Sequence, residues 1–158
     1  MLYLDSSVLI KHYQIERGTE AFNQKLRSEL ESSRAVFTSV LSYAEIHAII
    51  ARRVREKLVS AAEGSTIQTS FDSDWLTGFT SIPMDPAVLS FIRQIVNVHP
   101  LKGSDAVHLA SALSLWDRVS HGSIARPSEP ITFASSDRQL ISASQKLQLE
   151  VFNPEDQG

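Results

Sequence analysis

The chain alternates short runs rich in β-branched and aromatic residues with longer stretches whose apolar residues recur every three or four positions. The short runs suit strands, and the longer ones suit amphipathic helices. Such alternation folds as repeated βα units, whose crossovers make neighbouring strands parallel and put helices over the sheet. LYLD (2–5), AVFTS (35–39), SIPMD (81–85), ITFAS (131–135) and LEVFNP (149–154) read as strands. Between them, residues 19–33 carry Phe22, Leu26 and Leu30 on one helical face, and 42–58 carry Tyr43, Ile46, Ile50 and Val54. Asp85–Pro86 is an N-cap and first-turn pair for a helix running to about residue 98. An Ala- and Leu-rich helix starts at Ser104, and another covers 137–146. Gly64 and Gly78 punctuate 60–80, which reads as a broken or amphipathic helix, while the Pro- and Ser-rich stretch 121–130 reads as a surface loop.

At 158 residues the expectation is a single domain over 1–153 with a polar tail at 154–158, without internal repeat or linker. Fifteen basic against 18 acidic residues leave a net charge of −3, too little positive field to hold nucleic acid non-specifically, so a nucleic-acid site has to be local or bridged by cations. With no cysteine, disulfide scaffolds, thiolate zinc sites and cysteine nucleophiles are excluded. No apolar run is long enough for a membrane helix and the first ten residues lack a basic leader, so no membrane partner is expected and a cytoplasmic location is the default.

In an open parallel sheet, ligands gather beyond the carboxyl ends of the strands, where helix N-termini also point. Polar residues at the strand-to-helix junctions are therefore the ones to weigh. Asp5 ends the first strand, Glu45 follows the second, Asp105 opens the Ala-rich helix and Asp137 follows ITFAS. They stand tens of residues apart, so only the fold would unite them. Four converging carboxylates repel, and either take up protons or recruit a cation. Oxygen donors without cysteine or suitably spaced histidine favour Mg²⁺ or Mn²⁺ over zinc, and such ions work on phosphodiesters. Each acid also has a structural reading. Ser42-Tyr43-Ala44-Glu45 fits a capping box. Asp105 and Asp137 suit helix first turns or caps, whereas Asp5, ending an apolar strand beside Ser6 and Ser7, is a poor core residue.

In these four blocks, LYLDSSVLIKHY, FTSVLSYAEIHAIIARR, LKGSDAVHLASAL and ITFASSDRQLISAS, the sequence resembles PIN-domain nucleases, in particular the VapC-type toxins of prokaryotic toxin–antitoxin modules, over nearly its whole length. The resemblance implies a three-layer α/β/α sandwich around a parallel sheet and a metal-dependent endoribonuclease using Mg²⁺ or Mn²⁺. It makes Asp5, Glu45, Asp105 and Asp137 the catalytic and metal-binding acids, with Ser6, Ser7, Ser135 and Ser136 as hydroxyl support. It further implies a structured RNA substrate such as tRNA or rRNA, a homodimer, and a VapB-like antitoxin that blocks the acidic pocket. The alternative is a catalytically inactive PIN-like module that binds RNA or protein. A phosphatase of the haloacid dehalogenase type would need an aspartate where Ser7 stands, and a receiver-like domain an acid pair where Asp5 is alone.

Three features stay open at this level. Arg52 and Arg53, about two turns beyond Glu45, suit RNA phosphates or a salt bridge. Phe71, Trp75 and Phe79 form an aromatic ridge for a protein seam or for base stacking. His108 shares the helical face of Asp105 and reads first as a packed histidine.

Overall fold

A computed structural model describes residues 1–121 and 130–157, so the loop expected at 121–130 lies almost wholly outside the described residues. The strands are β1 (Leu2–Leu4), β2 (Val36–Ser39), β3 (Thr80–Ile82), β4 (Thr132–Ala134) and β5 (Glu150–Phe152), and they pair in the order β3-β2-β1-β4-β5 with every pair parallel. Successive strand side chains leave on opposite faces, so β1 sends Leu2 and Leu4 into one core and Tyr3 into the other. On the Leu2 face lie α1 (Ser6–Leu9), α2 (Thr19–Glu31), α3 (Leu41–Arg55) and α4 (Ala61–Thr77), which contribute Val8, Leu9, Phe22, Leu26, Ile46, Ile50 and Phe71. On the Tyr3 face lie α5 (Pro86–Val98), α6 (Gly103–Ser120) and α7 (Arg138–Lys146), with Val88, Ile95, Leu109, Leu115 and Leu140 at the core. The result is the expected three-layer α/β/α sandwich. None of the helices among the described residues is long and apolar enough to cross a membrane.

Going outward from β1, the chain places β2 and β3 to one side and β4 and β5 to the other. The order of strands therefore reverses between β1 and β4, and a crevice opens at such a point beyond the carboxyl ends. Asp5 extends β1 there, its backbone N–H donating to the carbonyl of Ala134 at 3.1 Å.

Four local features differ from the sequence reading. Residues 60–80 are not broken at Gly64. A capping box between Ser60 and Glu63 starts α4, and Gly64 lies inside it because a β-carbon there would sit 2.5 Å from Cγ2 of Val54 on α3. The glycine thus serves close helix packing. Strand β3 is one residue earlier than SIPMD suggests and stops before Pro83, which has no N–H for a ladder. Residues 154–156, read as the start of a polar tail, form a 3-10 helix (Pro154–Asp156) fastened to the body: Lys11, buried, donates to Glu155 at 2.9 Å, and Gly18, at φ +83°, lets the turn approach its backbone closely. Finally, the aromatic ridge belongs to this chain's own core. Phe71 is fully buried, with Trp75 and Tyr43 packed on it at ring-centroid distances of 5.7 and 5.8 Å, and Phe79 lies against the same cluster.

Candidate active site

Asp5 is the N-cap of α1, and its carboxylate is wrapped in donors. Oδ1 accepts from Ser7 Oγ at 2.7 Å and from the N–H of Val8 at 3.1 Å, and Oδ2 accepts from Ser135 Oγ at 2.6 Å. The side chain is buried, and burial pushes its carboxyl above the ordinary carboxylate range although His108 and these donors oppose the shift. Ser136 joins through its backbone N–H, which donates to Ser7 Oγ at 2.9 Å.

Glu45 is not the acid of a capping box. Helix α3 already begins at Leu41, and Ser42 Oγ is buried and bonded to Thr38 Oγ at 2.6 Å. Glu45 is instead free to turn to the crevice, where its Oε2 accepts from Ser6 Oγ and lies 2.8 Å from His108 Nε2. Burial alone would raise its carboxyl; the hydrogen bond and charge of His108, with Ser6, outweigh that and hold it below the ordinary value.

Asp105 lies in the first turn of α6, half-buried, and meets Ser104 Oγ at 3.3 Å. Burial and then the negative charge of Asp137 push it up, against the opposing pull of Lys102, Ser104 and His108. Asp137 caps α7 with one oxygen, Oδ1 accepting from the N–H groups of Gln139 and Leu140 at 2.8 and 2.9 Å, and its own N–H donates to Ser135 Oγ at 3.0 Å. Capping and crevice roles are therefore compatible in Asp5 and Asp137, since each carboxylate has more lone pairs than its cap consumes.

The four acids are linked through shared neighbours. Ser135 joins Asp5 to the backbone of Asp137, and His108 touches Glu45 and, when protonated, acts by charge on Asp5 and Asp105. Among the described residues, no three histidines or acids come close enough together to hold a metal ion. The donor chemistry nevertheless fits a hard divalent cation. All donors are oxygen, and two of the carboxyls, Asp5 and Asp105, are held where a second positive charge would relieve burial and like-charge repulsion.

Of the two arginines, Arg53 is engaged by Glu16 and Gln14, so Arg52, exposed on the last turn of α3, is the one that faces solvent. The pull of Lys102 and the link from His108 to Glu45 are not visible in the sequence, where His108 reads as a packed residue. The spacing that puts His108 one turn after Asp105 was the available signal; nothing local marks Lys102 or links Tyr3 to His108.

Residues 2–119 match the PIN domain family, and the chain belongs to it. Over 131 residues it is 28% identical to Ribonuclease VapC45 of Mycobacterium tuberculosis (strain CDC 1551 / Oshkosh), covering 77% of this chain and 87% of that protein. The same figures hold for Ribonuclease VapC49 of M. tuberculosis (strain ATCC 25618 / H37Rv). The structure of this chain is similar to a chain in the crystal structure of FitAcB from Neisseria gonorrhoeae, with a TM-score of 0.65 at 19% identity over 98% of both chains.

Proposed function

We propose that the chain is a metal-dependent endoribonuclease that hydrolyses RNA phosphodiester bonds and acts as the toxin of a type II toxin–antitoxin module. Similarity to two proteins named as VapC ribonucleases, spanning 77% of the chain, carries the reading, and the acid crevice gives it chemistry. In this reading Asp5, Glu45, Asp105 and Asp137 hold Mg²⁺ or Mn²⁺. Such an ion, when bound, would supply an activated water and neutralise charge on the scissile phosphate. Ser7 and Ser135 fix the Asp5 carboxylate, and Ser6 fixes Glu45. Arg52 binds RNA phosphate; Arg53, held by Glu16, braces the helix instead. The substrate is a structured RNA, tRNA or rRNA, in the cytoplasm. The protein works as a homodimer whose crevice a VapB-like antitoxin covers.

A non-cleaving PIN-like module that binds RNA or protein is the second reading. It is favoured by the arrangement of the acids as pairs with no triad among the described residues. Incubating total tRNA and rRNA with the purified chain in Mg²⁺ or Mn²⁺, with EDTA and Asp5→Asn as controls, separates the two. Discrete products that vanish in both controls are expected. RNA retention without any cleavage would favour the binding module, and cleavage unaffected by EDTA and by Asp5→Asn would overturn the site.

A further inference from the structure

We propose that Tyr3 and His108 are positioning residues for Glu45: Tyr3 fixes the imidazole tautomer, and His108 donates to one Glu45 oxygen and leaves the other free for a ligand. This rests on the reading that Glu45 is one of the metal-binding acids.

His108 is 3% exposed, and a buried polar ring needs partners for both of its nitrogens. Both have them. Nε2 lies 2.8 Å from Glu45 Oε2, and Nδ1 lies 3.2 Å from the Tyr3 hydroxyl. A carboxylate only accepts, so Nε2 carries the hydrogen; in the neutral ring Nδ1 is then the acceptor and the phenol the donor.

Tyr3 is well placed to set this arrangement. It lies on β1, two residues before Asp5, so both side chains leave the same face of the strand. Its ring stacks on Phe133 of β4 with centroids 5.3 Å apart and planes 10° apart, and it meets the His108 ring edge-on at 77°. The hydroxyl that reaches Nδ1 is therefore fixed by the sheet itself.

At the other end of the chain of hydrogen bonds, Ser6 Oγ donates to the same Oε2 that His108 engages. Terminal carboxylate torsions are soft, and one donor alone would leave the group free to rotate. Two donors on Oε2 hold it, while Oε1 has no hydrogen bond among the described residues. Partners that orient a ligating group are worth about 10–100-fold in metal affinity.

The test uses the full chain with ¹⁵N-labelled histidine. In the metal-free protein at about pH 8, long-range ¹H–¹⁵N spectra should show His108 with its hydrogen on Nε2. Hydrogen on Nδ1 would overturn the proposal whether or not metal binds. Mn²⁺ affinity, measured by calorimetry on variants whose fold is checked by circular dichroism, is the second readout. His108→Leu should weaken binding by about 10–100-fold. His108→Gln, which keeps an amide donor near the Nε2 position, should stay within about threefold of wild type, and Tyr3→Phe should lose severalfold. Equal losses in the Leu and Gln variants, or no loss in either, would overturn the role of His108, and an unchanged Tyr3→Phe that of Tyr3. Asp5→Asn separates the two levels. If it abolishes Mn²⁺ binding while His108→Leu does not affect it, the metal site stands and this proposal fails. If wild type binds no Mn²⁺, the metal reading fails, and the tautomer still decides the Tyr3–His108–Glu45 arrangement.

Discussion

The two pairs of acids at the crevice are built differently. Asp5 and Glu45 are each held by several donors: Ser7, Val8 and Ser135 on one, Ser6 and His108 on a single oxygen of the other. Asp105 has a single long contact with Ser104, and its neighbour Asp137 pushes it up by like charge. The first pair is therefore oriented before any ligand arrives, at the cost of burying Asp5. In the second pair burial and the repulsion of Asp137 outweigh the pull of Lys102, Ser104 and His108, so a further positive charge would gain most there. Under the proposed function, an ion would find oriented oxygens on one side and excess negative charge on the other.

The largest expected effect makes the two sides alike. Asp5→Asn and Asp105→Asn should each lower RNA cleavage by more than about 100-fold, beyond what loss of an orienting partner costs, in a gel assay of tRNA and rRNA. Full activity in either variant would break the equivalence of the two sides as ligands.

Stability should separate what activity equates. Ser135→Ala removes a buried donor from Asp5 and should cost about 1–3 kcal/mol by urea unfolding, whereas Ser104→Ala, beside a half-buried acid, should stay within about 0.5 kcal/mol. Equal costs would mean that Asp5 is no better fixed than Asp105.

A smaller effect follows from the raised Asp5 carboxyl. The folded protein binds that proton more tightly than the unfolded chain does, so ionisation of Asp5 subtracts stability as pH climbs from the ordinary value of 3.8 through the raised one. Asp5→Asn should then melt above wild type at pH 7, and the gain should vanish below that ordinary value. A variant less stable than wild type at pH 7 would show that the donors outweigh burial. The smallest expected change is in Asp137→Asn, which keeps a good N-cap. It should lower the Asp105 carboxyl, followed by ¹³C NMR titration, and leave α7 intact.

Much of this was legible in the chain itself. Strand and helix periodicities gave the parallel sheet, because a buried strand and an amphipathic helix each write their period into the sequence. The four acids could be picked out because strand-to-helix junctions are where a parallel sheet presents ligands. What local pattern could not give was pairing across distance. Ser42-x-x-Glu45 has the form of a capping box, but Thr38 takes the serine, and the true box is at Ser60 and Glu63. Gly64 reads as a break until Val54 of α3 is packed against it. Residues 154–156 look like a loose polar end until Lys11 and Gly18, far away in sequence, receive them. His108 looks like packing until Tyr3 and Glu45 appear at its two nitrogens.

Calorimetric titration of Mn²⁺ into the wild-type chain, Asp5→Asn and Asp105→Asn tests directly whether the two pairs form one ion site. Binding in wild type that is lost in both variants is the predicted result. No binding in wild type, or binding that survives either substitution at full affinity, would contradict it.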